Sequence, residues 1–554
     1  MKIFRRKSIS QAITDFNKTG GDGDQHANSL KKNLSVRDLT FFGIAAIIGA
    51  GSFSSLGEAC FKGGPGVVLL FLICTLACGF TAMCYAEFAS RLPISGSAYT
   101  YAYVSFGELF AWIIGWALIM EYSIGNIYVA FSWSGYFTNL IEQFGIHLPE
   151  YLTINYRSAH QAFLAGTVGE GQTAWLTAPQ IGGLHIIFDL PALLINVFVT
   201  WLVFVGVKES KNVSNIMVLL KLGIILLVIV IGAGYVNIDN WTPFMPNGFG
   251  GVMGGVAAVF FAYIGFDAVS TLAEESKNPQ RDLPKGMIYS LVICTVVYII
   301  LALVLTGMVS YTQLGVSDPL AEVFKIKEVK WMLFIISIGA VIAMTSVILV
   351  FQLGQPRIWM SMSRDGLLPK KFASIHPKHK TPGFSTIITG LVVGLPMFFV
   401  DEKFILDFTS IATLFAFVLV CAGVLTLPQK EIKESGRFSL PYINAKYIVP
   451  VLVISAAIAL CIYNMPYVKQ VITFSGDDFT KSFVMLLFFM LCITLSVLSF
   501  MRNLSLIPVL GVISCCYLLT PMSKSNWLWF LAWLALGLII YFSYSYKKSR
   551  LNTH

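Results

Sequence analysis

Two ionisable side chains, Glu121 and Lys221, lie inside long apolar runs of this chain. Charged groups are costly within a membrane, so residues kept there are functional candidates by default. Because a buried ionisable group can bind and release a proton, we interpret Lys221 and Glu121 as candidates for proton coupling. A permanent buried ion pair is the structural alternative for both.

Two apolar segments are interrupted by glycine, at residues 43–57 and 260–267. A helix broken inside the membrane is tolerated only where it lines a protein cavity. Two such breaks in corresponding halves of a chain indicate a substrate site. At the first break, the N–H groups of Ala50, Gly51 and Ser52 would begin a half-helix and attract a carboxylate. Packing of small residues between helices is the alternative.

The second break offers the opposite chemistry. Main-chain carbonyls freed at Phe261, Ala262 and Ile264 would accept hydrogen bonds from an ammonium group. Donors on one wall and carbonyls on the other suit the two ends of a free amino acid. Asp267 follows the break, and we expect it to cap the second half-helix.

The eighth apolar segment adds three further candidates. The hydroxyls of Thr345 and Ser346 would either bind a cation or bond their own helix. Phe351 is interpreted as a wall of the substrate pocket, with ordinary packing as the alternative. The chain has no phosphate loop and no His-Glu-x-x-His motif. We therefore predict no cofactor, no metal site and no enzyme activity.

Membrane-spanning helices are the elements that must position these residues. The 554 residues are 56% hydrophobic and only 12% charged, whereas soluble domains carry about 25% charged residues. A span needs about 20 apolar residues, and we count fourteen such runs. They begin near positions 39, 66, 110, 187, 213, 249, 287, 332, 384, 405, 447, 482, 504 and 527.

The charge distribution orients these spans. Basic residues concentrate in the N-terminal arm, in the segment 357–380 and in the C-terminal tail, which the positive-inside rule places in the cytoplasm. The net charge of +9 therefore indicates no nucleic-acid partner. Spans six to ten are inverted relative to spans one to five, and each group opens with a broken helix. Such inverted repeats are typical of secondary transporters.

This pattern predicts four regions. Residues 1–37 form a disordered cytoplasmic arm, and residues 38–428 form a transport core of spans one to ten. Residues 429–546 hold spans eleven to fourteen, and residues 547–554 form a cytoplasmic tail. The long segment 138–186 lies outside the cell and is assigned no fold.

Several motifs agree with a known family. On these motifs the chain resembles the cationic amino acid transporter family of the amino acid–polyamine–organocation (APC) superfamily, whose fold is that of the leucine transporter. The matching segments are residues 48–51, 85–87, 95–101, 121–122, 133–136, 206–210, 261–267, 278–284 and 361–369.

The resemblance implies an all-α membrane protein with a leucine-transporter-like 5+5 inverted repeat and broken first and sixth helices. It implies secondary active transport of free L-amino acids across the cell membrane by alternating access. In proton-coupled relatives, a lysine at the position of Lys221 places its ammonium where sodium sits in sodium-driven cousins. The resemblance also assigns the carboxylate-binding and ammonium-binding roles to the two breaks. Ser52, Asn126, Tyr128 and Phe131 depart from the family pattern and leave the substrate open.

Together these observations predict a proton-coupled amino acid symporter in the lipid bilayer of the cell membrane, with both termini cytoplasmic. The alternatives are an amino acid exchanger, a sodium-coupled carrier that uses Thr345 and Ser346, and an amino acid sensor on a transporter fold. A small membrane subunit or a homo-oligomer is left open.

Overall fold

The computed structural model describes residues 5–9, 11, 14, 32–49, 51–166, 170–316, 318–400, 402–427, 438–463, 465–473 and 479–552. Helices make up most of these residues. The only strands in the described part are β1 (Gln180–Ile181) and β2 (Leu184–His185), which pair antiparallel in a small hairpin. The chain is therefore an all-α protein in its membrane region, as predicted.

The first half begins with a helix that is capped by its own sequence. Ser35 accepts from the Asp38 N–H, and the Asp38 carboxylate accepts from the Ser35 N–H, which fixes the start of α1. The helices of this half are α1 (Val36–Ile47), a π-helical turn (Gly51–Ser55), α2 (Leu56–Gly63), α3 (Val67–Arg91), α4 (Ser97–Ser105), α5 (Glu108–Glu142), α6 (Tyr156–Ala165), α7 (Glu170–Thr177), α8 (Leu190–Val205) and α9 (Val207–Ala233).

The second half also begins with an interrupted helix, which is followed by long helices. Its helices are α10 (Gly248–Gly254), α11 (Val256–Phe261), a 3₁₀ helix (Phe266–Glu275), α12 (Pro279–Met308), α13 (Pro319–Ile326), α14 (Lys330–Arg364), α15 (Gly383–Gly394) and α16 (Glu402–Val424). The remaining helices are α17 (Ile448–Tyr463), α18 (Met465–Thr473), α19 (Phe479–Arg502), α20 (Leu506–Leu519), α21 (Lys524–Ile540), a second π-helical turn (Tyr541–Ser545) and α22 (Tyr546–Lys548).

Seven helices in the described part are long and apolar enough to cross a membrane, or eight if Gly248–Gly254 and Ala258–Glu275, bent by 40°, form one span. Five further apolar helices have 10–17 residues. The protein is thus a multi-pass membrane protein. The count of fourteen crossings and the 5+5 repeat stay predictions.

The long helices enclose the two interrupted ones. The central helix α14 packs against α5, α9 and α1, while α12 packs against α1 and α3. α16 closes the bundle against α5. Buried apolar side chains fill the interfaces as one continuous core, which leaves the interruptions in the middle of the packed bundle.

The segment after α5 folds as a small unit of its own. The helices α6 and α7 and the hairpin enclose a separate cluster formed by Ala159, Ala174, Ala178 and Ile187. Asn155 caps α6 by accepting from the Ser158 N–H at 2.8 Å. The segment 138–186, which was assigned no fold, therefore carries a short helical insert.

Candidate functional site

The two interrupted helices touch at their breaks. The first is open between Ile47 and Gly51, and the second between Phe261 and Phe266. A Cβ added to Gly51 would lie 2.5 Å from the Ala262 Cα, which is closer than two non-bonded carbon atoms can approach. Glycine is required at this position because the backbone of one break rests directly on the other.

Hydroxyl groups hold the first break in shape. The Ser52 N–H and its hydroxyl both donate to the Gly49 carbonyl, each at 3.0 Å. The Ser55 hydroxyl donates to Gly51 at 3.0 Å and to Ala258 at 3.1 Å, which joins the π-helical turn to α11. In this conformation the N–H of Ser52 is thus bonded within the turn.

The second break makes a tight turn. The Ile264 N–H donates to the Phe261 carbonyl at 3.2 Å. Gly265 has a φ of +116°, and an added Cβ there would lie 2.6 Å from the Ala46 Cβ. Of the predicted substrate residues, Gly51, Ser52, Phe261, Ala262 and Ile264 are therefore brought together. Ala50 lies outside the described residues.

Lys221 reaches from α9 to the end of α1. Its Nζ donates to the carbonyls of Ile44 (3.0 Å), Ala45 (3.1 Å) and Ile48 (2.6 Å), and to the Ser346 hydroxyl (2.9 Å). All four neighbours are hydrogen-bond acceptors, which fits a protonated amine. The ammonium also lies at the partly negative end of a helix. It connects three helices beside the first break.

Glu121 is almost fully buried, at 1% exposure, and neither carboxylate oxygen has a hydrogen-bond partner among the described residues. Within the same part of the chain, Lys221 and Glu121 form no ion pair. The alternative of a permanent ion pair for these two side chains is therefore wrong. Glu121 is thus a buried acid without hydrogen bonds in the described structure. Such a group lowers the stability of the fold, so its presence indicates a functional role.

Asp267 does not make the helix cap expected from the sequence. Gly265 occupies the capping position of the 3₁₀ helix, without a side-chain cap. The Asp267 carboxylate instead accepts from the Tyr122 hydroxyl at 3.3 Å, and its second oxygen has no partner in the described structure. Glu121 and Asp267 are thus two buried carboxylates close to the second break. The sequence did not suggest Tyr122, although it directly follows Glu121.

Aromatic rings line this region on two sides. Phe351 stacks on Tyr122 with ring centroids 5.4 Å apart and planes within 8°. Phe261 meets Tyr128 edge to face at 4.7 Å. The predicted pocket residue Phe351 therefore supports the ring that contacts Asp267.

Thr345 and Ser346 point in different directions. The Ser346 hydroxyl contacts Lys221, whereas the Thr345 hydroxyl accepts from the Trp133 indole at 2.9 Å and donates to the Val341 carbonyl at 2.7 Å. The two hydroxyls do not form one cation site, because the first faces an ammonium and the second faces an indole.

One contact that the sequence did not indicate closes the bundle near the end of α5. The Tyr136 hydroxyl donates to the Phe53 carbonyl at 2.7 Å, and the two rings pack edge to face at 6.2 Å. This contact ties the π-helical turn to α5 directly beyond the first break.

Ion pairs close the opposite end. The Arg357 guanidinium donates to Glu275 (Nε to Oε1, 2.8 Å), and both side chains are 1% exposed. Arg364 pairs with Glu274 at 2.9 Å. Arg357 was expected in a cytoplasmic loop, but α14 continues through it to Arg364.

The N-terminal arm and the C-terminal tail meet on Glu108. This buried carboxylate accepts from Arg5 at 3.4 Å, from the Tyr541 hydroxyl at 2.9 Å and from the Ser549 hydroxyl. Nearby, Lys7 pairs with Asp365 at 2.6 Å. The arm was expected to be disordered, yet its Arg5 and Lys7 are packed against the bundle. We refer to these contacts around Glu108 as the terminal cluster.

Comparison with known proteins gives consistent matches over most of the chain. The pattern of the family described as "Amino acid permease" matches residues 34–498. The "Branched-chain amino acid permease BcaP" of Bacillus subtilis (strain 168) is 39% identical over 552 residues, covering 99% of this chain and 99% of that protein.

Two other relatives carry different substrate names. The "Methylthioribose transporter" of the same organism is 38% identical over 527 residues, covering 95% of this chain and 96% of its own length. "Cationic amino acid transporter 2, vacuolar" of Arabidopsis thaliana is 37% identical over 433 residues, covering 77% of this chain and 63% of its own length.

Proposed function

The chain belongs to the amino acid permease family, and we propose that it carries free amino acids across the cell membrane by alternating access. The observation that carries the proposal is the direct contact between the two helix breaks at Gly51 and Ala262. Irregular backbone at the centre of a membrane bundle is tolerated where it lines a substrate cavity. Breaks that served only for packing would leave backbone hydrogen-bonding groups unsatisfied in the membrane, which lowers stability.

The proposed architecture has fourteen spans, of which the first ten form a 5+5 inverted repeat of the leucine-transporter type. Residues 38–428 are the transport core, residues 429–546 hold the last four spans, and the segments 1–37 and 547–554 are cytoplasmic. The paired interruptions near Gly51 and Ala262 support the repeat, since they begin corresponding halves.

In the proposed site, the substrate carboxylate binds the N–H groups of Ala50, Gly51 and Ser52. Its ammonium binds the carbonyls of Phe261, Ala262 and Ile264. Because the Ser52 N–H now bonds Gly49, substrate binding requires this turn to open. Phe351 supports the aromatic wall through Tyr122.

Lys221 is the proposed centre of proton coupling. As an ammonium it holds the end of α1 to α9 and α14 through four acceptors. A neutral amine has one donor fewer and presents a lone pair to oxygen atoms, so deprotonation loosens the junction beside the first break. Glu121, buried and without hydrogen bonds in the described structure, is the proposed second proton carrier.

The alternatives differ in how the cycle is driven. An amino acid exchanger needs no net proton movement, and a sensor binds without accumulation. A sodium-coupled carrier would need Thr345 and Ser346 to converge on an ion. The contacts of Ser346 with Lys221 and of Thr345 with Trp133 speak against that route.

The relatives are named for different substrates, so the class of substrate that this chain carries must be determined by experiment. We propose a branched-chain amino acid as the first candidate, because the relative named for that activity matches 99% of both chains. Methylthioribose is the second candidate, since the relative of that name is nearly as similar.

Uptake by proteoliposomes tests the proposal. The purified chain is reconstituted with an inward proton gradient and offered each of the standard amino acids and methylthioribose, in labelled form. We expect saturable accumulation of one chemical class, abolished in Gly51→Val and retained in Gly79→Ala, where an added Cβ meets no atom within 4 Å. The absence of uptake for every compound would contradict the transport proposal.

A further inference from the structure

A polar cavity lies beyond the first break, near the end of α5 that is distant from the terminal cluster. Its volume is about 290 Å³, close to the lower end of small-molecule sites at about 300 Å³. The lining includes Ser54 from the π-helical turn, Ser132 and Tyr136 from α5, Asn155 from the insert, and the two acids Asp189 and Asp318.

The cavity adjoins the contact that closes the bundle. Tyr136 lines it and at the same time donates to the Phe53 carbonyl in the π-helical turn. Tyr136 therefore connects the cavity to the π-helical turn that follows the first break. Thr153, Ile154, Asn155 and Ser158 of the insert also line the cavity.

The charges of the lining have one sign. Among the described residues, none of those that line the cavity is a lysine, an arginine or a histidine. Asp189 is already engaged, because its carboxylate accepts from the Ser134 hydroxyl at 2.6 Å and from the Ala192 N–H at 3.0 Å. Asp318 stands before α13 without capping it. In the described part of the chain, no ion pair holds its carboxylate.

Burial, reinforced by neighbouring Glu322, raises the pKa of the Asp318 carboxyl group. This direction is that of a carboxylate without a close counter-ion. Lys325, on the same helix, pairs with Glu322 at 3.4 Å and offsets only part of this rise in the Asp318 pKa. A cation in the cavity would supply the charge that Asp318 lacks.

Another part of the lining lies at the start of a helix. Asn155 and Ser158, which line the cavity, form the first turn of the ten-residue helix α6. The start of a helix favours negative groups. This helix start is already capped by Asn155, so the group that the cavity offers to a ligand is the Asp318 carboxylate, which suits an ammonium group.

We propose that this cavity is an outer binding site, in which the substrate's ammonium group pairs with Asp318 before the amino acid passes Tyr136 to the helix breaks. The site rests on the proposed function for the identity of its ligand. Its charge selectivity rests only on the lining.

Labelling of a single cavity position tests the site directly. Asn139 lines the cavity and is exposed, so Asn139→Cys is reacted with a cationic and with an anionic methanethiosulfonate reagent, and the parent chain supplies the background rate. We expect the cationic reagent to react faster by about tenfold, and Asp318→Asn to reduce that preference by at least about threefold. Glu322→Gln is the matched comparison, because this acid is on the same helix and acts on Asp318 without lining the cavity; it should reduce the preference less than Asp318→Asn does.

Ligands that share one carbon skeleton identify the recognised group. L-Leucine and isoamylamine carry an amino group, whereas 4-methylpentanoate carries only the carboxylate. We expect the first two to slow the labelling of Asn139→Cys by about threefold or more and the third to leave it unchanged. This comparison uses the native Asp318, so it does not depend on the folding of an acid variant.

Uptake kinetics connect the site to transport. Asp318→Asn should raise the substrate concentration for half-maximal uptake by about threefold or more and leave the maximal rate nearly unchanged. Equal labelling by both reagents, or no protection by either amine, would overturn the outer site even if uptake is normal. Protection by isoamylamine in a chain that transports no amino acid would instead uphold a cation site and contradict the transport proposal.

Discussion

Replacement of Lys221 by methionine tests the coupling mechanism most directly. Methionine has a similar volume and remains apolar, so it fills the space and removes only the ammonium. We expect Lys221→Met to bind substrate and to exchange it across the membrane but to lose accumulation driven by a proton gradient.

The contacts of Lys221 set the size of the effect. The Ile44 carbonyl also accepts from the Ile48 N–H at 3.0 Å, and the Ala45 carbonyl also accepts from Ser346 at 3.3 Å. The Ile48 carbonyl has no second donor among the described residues. Its loss of a partner costs about 1–3 kcal/mol, which shifts an equilibrium between two conformations by about 5–150-fold.

The assay compares accumulation with exchange in the same proteoliposomes. A gradient of one pH unit is worth about 1.4 kcal/mol per proton and sustains about tenfold accumulation. Wild-type protein should approach that ratio, and Lys221→Met should equilibrate without exceeding unity. Thr345→Val is the control, since this hydroxyl bonds Trp133 and its own helix rather than Lys221.

Accumulation by Lys221→Met that still follows the pH gradient would refute the reasoning. Loss of exchange together with loss of substrate binding would show that Lys221 shapes the site and would likewise refute a role confined to coupling. A thermal unfolding curve measured beside the transport assay separates these results from a failure to fold.

Three further predictions concern other parts of the molecule. Gly51→Ala should reduce uptake strongly, because its Cβ would lie 2.5 Å from the Ala262 Cα; normal uptake would show that the breaks need not touch. Arg357→Met leaves Glu275 buried and unpaired, so thermal unfolding should report a loss of about 3–5 kcal/mol, and adding Glu275→Gln should recover much of it. Burial raises the pKa of Asp318, so its charge is destabilising above the raised value and harmless below the ordinary value of about 3.9. Asp318→Asn should therefore raise the melting temperature at neutral pH, with a gain that shrinks as the pH falls; a gain independent of pH would contradict this account.

The parts of the site that could be predicted from the sequence are those that leave a local signal. Lys221 and Glu121 stand out because a charged residue is rare in an apolar run. Gly51 and the residues after Phe261 stand out because glycine interrupts a helix-length segment. The family resemblance was confirmed by the match over residues 34–498.

The parts that could not be predicted depend on partners distant in the chain. Tyr122 reaches Asp267 across 145 positions, so a cap formed by neighbouring residues was the simpler expectation and was wrong. Arg357 reads as the start of a basic loop because its partner Glu275, 82 positions earlier, is not visible in a linear pattern. Ser346 and Thr345 are adjacent, and only the packing of α14 decides which of them meets Lys221.

The terminal cluster has a consequence for the biosynthesis of the protein. Glu108 emerges from the ribosome long before Ser549, which bonds it from 441 positions later. Tyr541 is also synthesised late, 433 positions after Glu108. Arg5 and Tyr103 contact the Glu108 carboxylate from within the first half of the chain, whereas its contacts with the tail form only after the tail has been synthesised. Closure of this end is therefore one of the last events of assembly, and a stalled or shortened chain is expected to leave it open.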